Sequence, residues 1–194
     1  MTVDGRARSP LARRAEDLRR ARDNTRRAVV IAELPLLAQI DVRVAPQEAG
    51  GAPYSLPREP NTVSVTGEVE VLWLGPDEWL AVGPPGSAHE IQSSLAGALR
   101  RVHHSIVDVS ANRAVLELSG PGGHGLLAKG CALDLAPPAW VAGRCAQTLL
   151  GRVGVILQER SDATRVFVRP SFGDYLVDWL LDATEEYRIT GAAP

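Results

Sequence analysis

Three times along this 194-residue chain, two short apolar segments joined by a turn run into Pro or Gly and then into a helical pattern. The stretches are "VEVLWLGPDEWLAVGPPGSAHEIQSSLAGALR", "IVDVSANRAVLELSGPGGHGLLAKG" and "GRVGVILQERSDATRVFVRPSFGDYLVDWLLDATEEY". In the first, the spacing predicts a helix that buries Ile91, Leu95, Leu99 and Val102; in the last, one that buries Leu176, Trp179, Leu180 and Ala183. A hairpin followed by its own helix forces one architecture: antiparallel sheets with helices covering a face, an α+β fold. The units share no consensus, so a solenoid is excluded. Ahead of them, "AVVIAELPLLAQIDVRV" reads as strand, Pro interruption, strand. Pro46, Pro53, Pro57 and Pro60, with Gly50 and Gly51, then make 45–61 an extended loop.

Charge divides the chain unevenly. Residues 1–27 hold nine Arg against Asp4, Glu16, Asp17 and Asp23, a balance of +5 within a total of -2, which leaves -7 for the remainder. Pro10 with Leu11, Ala15 and Leu18 allows a short helix, but Arg13 and Arg14 then sit in a first turn whose dipole favours acids. The arm reads either as a solvated tail or as a segment ordered on a partner. In the second case Arg13, Arg14, Arg19 and Arg20 are interface candidates, joined by Trp73 and Trp79 as aromatic anchors. The expected organisation is an arginine-rich arm, 1–27, and a single α+β domain, 28–190, of two related halves, about 28–105 and 106–190.

Several chemistries are excluded. Gly120, Gly122 and Gly125 spell G-x-G-x-x-G, yet the strand before them reads as a hairpin arm, and the next helix is short. Counting about 20 residues onward reaches 140–145, which lacks the acid a dinucleotide site uses. Pro121 also removes an amide. The glycines therefore read as a tight turn at a helix start, and His124 among them as a surface residue. His103 and His104, being adjacent, point to opposite sheet faces and cannot readily share an ion. Cys131 and Cys145 have no metal-site spacing and read as two reduced thiols of a cytoplasmic protein. No apolar run approaches the ~20 residues of a membrane span, and no h-region marks a secretory signal. No nucleophile, hydrolase or phosphate-loop motif is present, so neither catalytic nor metal residues are assigned.

The second unit, "VDVSANRAVLELSGPGGHGLL", resembles the signature of the folate-binding aminomethyltransferase (T-protein-like) superfamily, in which an Asp-Val-Ser strand leads to Gly-Pro and a helix. More narrowly, "AELPLLAQIDVRV", "VLWLGPDEWLAVGPPG" and "GRCAQTLLGRVGVILQ…FVRPSFGDYLVDWLLDA" resemble the gamma subunits of heterotetrameric sarcosine oxidase, over roughly residues 29–187. The resemblance implies a T-protein-like fold and a complex with alpha, beta and delta chains, alpha in direct contact. That complex oxidatively demethylates sarcosine to glycine, passes the one-carbon unit to tetrahydrofolate and forms hydrogen peroxide. FAD, FMN, NAD, tetrahydrofolate and zinc then belong to the partner subunits and no cofactor to this chain; neither nucleic acid nor membrane is an implied partner.

The superfamily places two carboxylates in a "G-i-l-D-D" strand. The corresponding stretch here is Gly154-Val155-Ile156-Leu157-Gln158, in which Leu157 and Gln158 can neither accept a proton nor act as a base near neutral pH. Hence the expectation: a retained scaffold without the chemistry, in a non-catalytic assembly subunit. Two alternatives stand beside it. In one the chain itself binds folate through Asp108, Ser110 and Glu159, the last restored by a one-residue slip that changes sheet face. In the other the basic arm binds nucleic acid, against which its interleaved acids and lack of aromatics argue.

Overall fold

The computed structural model describes Arg8–Arg188; expectations for residues 1–7, Asp4 and Arg6 among them, and for 189–190 lie outside the described residues. In chain order the elements are α1 (Ala15–Asn24), β1 (Val30–Glu33), β2 (Ala38–Val44), β3 (Val63–Thr66), β4 (Val69–Gly75), β5 (Glu78–Gly83), α2 (Ala88–Leu99), β6 (His104–Asp108), β7 (Ala114–Ser119), α3 (Gly123–Ala128), β8 (Cys145–Leu150), β9 (Val153–Glu159), β10 (Ala163–Val168) and α4 (Gly173–Ala183). They form two antiparallel five-stranded sheets, ordered β3-β4-β5-β2-β6 and β1-β7-β10-β9-β8. The fold is α+β.

The chain folds as two compact units: Pro35–Arg113 with Gly143–Ala146, and Ser9–Leu34 with Ala114–Ala142 and the chain from Gln147. The division is not the expected pair of consecutive halves, and from Ser9 onward the arm belongs to the second unit.

In the first unit, the alternation along β2 turns Ile40, Val42 and Val44 inward against Val71, Trp79 and Ala81 of the neighbouring strands. α2 closes this core with Ile91, Leu95 and Leu99; fully burying side chains of this size contributes about 1.5–3 kcal/mol each. Val102 packs against the same cluster from beyond the helix end. Trp79, an interface candidate by sequence, is 1 % exposed and donates its Nε1–H to the Pro57 carbonyl at 2.7 Å. It is a core residue. Trp73 is partly buried against the cluster. The short edge strand β3 escapes the sequence reading because its apolar side faces out: Val65 is 65 % exposed.

Two of the three expected hairpin–helix units form, β4–β5–α2 and β9–β10–α4. The middle one does not. β6 pairs with β2 in the first unit, whereas β7 lies between β1 and β10 in the second. The separation starts at Asp108, whose Oδ1 accepts from the Ser110 amide (2.9 Å) and hydroxyl (2.6 Å); Ser110 Oγ in turn accepts from the Gln39 amide (3.0 Å). These bonds turn the chain out of β6 where a hairpin would have folded it back.

The second unit seats α4 with Leu176, Val177, Leu180 and Ala183 buried, while Trp179 is only partly so. The arm is part of this unit. Leu11 and Leu18 are buried, and a Cβ on Gly173 would meet Leu11 at 2.8 Å. Residues 12–14 form a 3-10 turn and the α-helix proper begins at Ala15. Arg13 and Arg14 therefore precede it and Glu16 and Asp17 occupy its first turn, as the dipole favours. Arg13 pairs with Asp174; Arg14 pairs with Asp17 (2.9 Å) and Asp178 (2.5 Å). The Asp178 hydrogen bond raises the Arg14 pKa, and that from Arg13, with the other contacts of the clamp, lowers the Asp174 pKa. Arg19 and Arg20 both bond Glu16. After α1 the chain turns through Arg26 (φ 47) and Arg27 (φ 66). Left-handed backbone costs a residue with a Cβ about 1–2 kcal/mol. Lys129, the one lysine of the sequence, caps the end of α4: Nζ donates to the Ala183 carbonyl (2.6 Å), pairs with Glu186 (2.9 Å) and lies 5.3 Å from the centre of the Tyr187 ring.

Candidate functional site

β7 ends at Ser119 and the chain enters α3 through Gly120-Pro121-Gly122. Only Gly120 of the three glycines adopts positive φ, at +93°. A Cβ there would lie 2.7 Å from the Ala28 carbonyl oxygen, and one on Gly122 would lie 2.6 Å from the Tyr187 ring and 2.9 Å from Val29. Gly122 also donates its N–H to the Ala28 carbonyl at 2.8 Å. The glycines let the 27–29 backbone and Tyr187 pack against the loop, which is not free to cradle a phosphate. β7 has antiparallel neighbours on both sides, and α3 is six residues long, so the parallel geometry of a dinucleotide site is absent here.

Beside the loop the structure assembles a site that the sequence reading missed. Glu159, at the end of β9, is 6 % exposed. Its Oε2 accepts from Trp140 Nε1 (2.7 Å) and Thr164 Oγ1 (2.5 Å); its Oε1 lies 2.9 Å from His124 Nε2. Thr164 stands opposite Glu159 in the β10–β9 register, His124 comes from the first turn of α3, and Trp140 from the segment before β8. Leu118, Ser119, Ser161 and Asp162 help line a pocket of about 210 Å³ that reaches His124 and Glu159. A buried carboxylate without partners would be strongly unfavourable; three donors from three elements make it tolerable and fix its rotamer. His124 is thus one side of a buried-carboxylate pair. Its only sequence signal is its place in a loop that adjoins a strand ending in an acid. Leu157 and Gln158 are both buried, so β9 carries no second carboxylate beside Glu159.

Asp108 and Ser110 lie together in the first unit, engaged with each other and with Gln39 as described; Glu159 belongs to the second. Of the arginine candidates, Arg13 and Arg14 are clamped to α4, and Arg19 and Arg20 to Glu16. His103 and His104 line a wider open pocket of the first unit, about 480 Å³, with Arg43 and Asp77. There Arg43 is held by Glu78 (2.6 Å), and His104 Nδ1 contacts the Val102 carbonyl (2.9 Å). Among the described residues no group of three His, Cys, Asp or Glu side chains could hold a metal ion. Both cysteines are buried and unbridged. Burial pushes the Cys145 thiol up to about 11, and its Sγ contacts the Thr62 and Trp73 carbonyls at 3.3 and 3.4 Å. No helix among the described residues is long and apolar enough to cross a membrane.

The sarcosine oxidase, gamma subunit family matches residues 50–186. The chain belongs to that family. It is 38 % identical over 188 residues to the sarcosine oxidase subunit gamma of Arthrobacter sp, covering 93 % of this chain and 91 % of that one. It is 36 % identical over 190 residues to the subunit gamma of Corynebacterium sp. (strain P-1), with the same coverage. A chain of the solved heterotetrameric sarcosine oxidase from Corynebacterium sp. U-96 superposes with a TM-score of 0.86 at 32 % identity, covering 96 % of this chain and 99 % of that one. Aminomethyltransferase T of the glycine cleavage system from Bartonella henselae superposes at 0.64 with 14 % identity, over 87 % of this chain and 49 % of that protein. At that identity the likeness is one of fold, and it bears out the T-protein-like architecture.

Proposed function

We propose that this chain is a non-catalytic assembly subunit of a heterotetrameric sarcosine oxidase. In that complex sarcosine is oxidatively demethylated to glycine, the one-carbon unit passes to tetrahydrofolate and oxygen leaves as hydrogen peroxide. FAD, FMN, NAD, tetrahydrofolate and zinc sit in the alpha, beta and delta chains, and alpha is the neighbour in direct contact. The observation that carries the reading is the state of Glu159. It is the acid nearest the strand positions where the superfamily displays its carboxylates, and both of its oxygens are taken by Trp140, Thr164 and His124. Leu157 and Gln158, beside it, offer no charge. A strand that has turned its remaining carboxylate inward supports a role in architecture.

Co-expression of the four chains, with and without this one, tests it. The expected result is a particle that assembles with this chain and falls apart or fails to form without it. An alpha–beta–delta enzyme that forms and turns over equally well alone overturns the reading.

One observation favours the second reading, folate binding by this chain: Glu159 and His124 do border a pocket. Its volume of about 210 Å³ lies below the roughly 300–1,000 Å³ of sites that enclose drug-sized ligands. Calorimetric titration of the chain with tetrahydrofolate decides; heat that disappears in Glu159→Gln establishes this second reading, and no heat removes it.

A further inference from the structure

The arginines expected to meet a partner are engaged within the chain, whereas Arg26 and Arg27, in the turn after α1, are not. Arg26 and Arg27 are exposed, and neither guanidinium has a hydrogen bond or ion pair with another described residue. Their backbone is firmly held. Arg26 N donates to the Asp23 carbonyl (3.1 Å), Arg27 N to that of Arg22 (3.0 Å) and Ala28 N to that of Thr25 (2.9 Å). Buried Thr25 bonds the Val29 carbonyl through Oγ1 (2.9 Å), and the inner side of the turn lies against Gly120 and Gly122. Both residues are left-handed, a conformation glycine or asparagine adopts at far lower cost. Placing arginine there twice in succession adds strain with no internal contact in return. Favourable charge at the end of α1 is already provided by Arg22 in its last turn.

We propose that the Thr25–Ala28 turn is a docking finger whose two guanidinium groups engage carboxylates on the surface of another subunit of the oxidase. The inference rests on the assembly reading above. Guanidinium forks match carboxylates in a bidentate fashion and are more weakly hydrated than an ammonium, which suits them to protein interfaces. Acidic Asp23 and Glu16 lie close in sequence and side chains exposed on α1 include no aromatic group, so a nucleic-acid strand finds neither an uninterrupted basic track nor a stacking surface.

The test uses Arg26→Asn with Arg27→Asn in the full chain, and Arg26→Gly with Arg27→Gly as a second pair. Both keep the left-handed turn and remove the charge. The expected result is a thermal midpoint equal to or above that of the wild-type chain, and an association rate with the partner subunits at least about tenfold lower at low salt. That gap should close at about 0.5 M salt, where surface charges are screened. A variant pair that folds and associates at the wild-type rate at low salt overturns the proposal while leaving the assembly role intact. A wild-type chain that never associates removes the assembly role itself. Arginine-dependent capture of random RNA, with unchanged subunit association, also overturns it.

Discussion

Asp108 in the first unit and Glu159 in the second each end a strand and each accept several hydrogen bonds, but they do so over different distances in sequence. Asp108 is exposed and holds Ser110, two residues away, to turn the chain after β6. Glu159 is buried and gathers His124, Trp140 and Thr164, up to 35 residues away, into one cluster. An exposed acid shapes a turn at small cost and small gain. A buried one must be fully partnered, and once partnered it ties together the elements that supply the donors. The motif that looks functional by its letters, Asp-Val-Ser, is local, and the acid that organises a unit belongs to no motif.

The sharpest way to break this comparison is to remove both carboxylates. Glu159→Ala leaves the buried donors of Trp140 and Thr164 without an acceptor, frees the exposed His124 ring and opens a cavity, and should cost about 3 kcal/mol. For a chain of this size that corresponds to a fall of roughly 6–12 °C in thermal midpoint. Glu159→Gln, which keeps an acceptor, should fall between. Asp108→Ala removes the acceptor of a surface turn and should cost about 1 kcal/mol, read from the same melting curves. Equal losses for the two alanine variants would erase the distinction.

The smallest effect concerns the clamp on α4. The Asp174 pKa is lowered from 3.8, first by its hydrogen bond from Arg13. A carboxylate whose folded pKa is depressed contributes stability that is fully present above its unfolded pKa and lost as pH falls through the folded one. Glu16, lowered from 4.5 first by its hydrogen bond from Arg19, adds to this within α1 itself. Hydrogen exchange of the Ala12–Asn24 amides should therefore stay constant from neutral pH down to about 4.5, after correction for intrinsic rates, and quicken below it as Glu16 and then Asp174 protonate. Quickening at pH 5 or 6 would place the control elsewhere.

Much of the fold is legible in the sequence because hydrophobic period and turn residues act locally. Ile91, Leu95 and Leu99 announce α2, and Pro170 announces α4. The middle hairpin misleads because Asp108, Ser110 and the Ala111-Asn112-Arg113 turn look the same whether a chain folds back or crosses to a different sheet. What decides is the Ser110–Gln39 bond, which spans 71 residues. The arm misleads for a related reason: its arginines look free until Asp174 and Asp178, more than 160 positions onward, are brought to them. Glu159 is legible as an acid but not as a buried one, since only the positions of Trp140 and His124 show that its charge is turned inward. Trp79 reads equally well as core or interface until its Nε1–H finds the Pro57 carbonyl.

Lys129 carries a consequence of a practical kind. A chain with 194 residues and one side-chain amine offers acylating reagents a single internal target. That amine is held by the Ala183 carbonyl and Glu186 while its side chain stays 31 % exposed, so its modification rate reports how often Nζ swings away from these two acceptors. The molecule thereby contains its own reporter on that contact, readable by mass spectrometry without any introduced label.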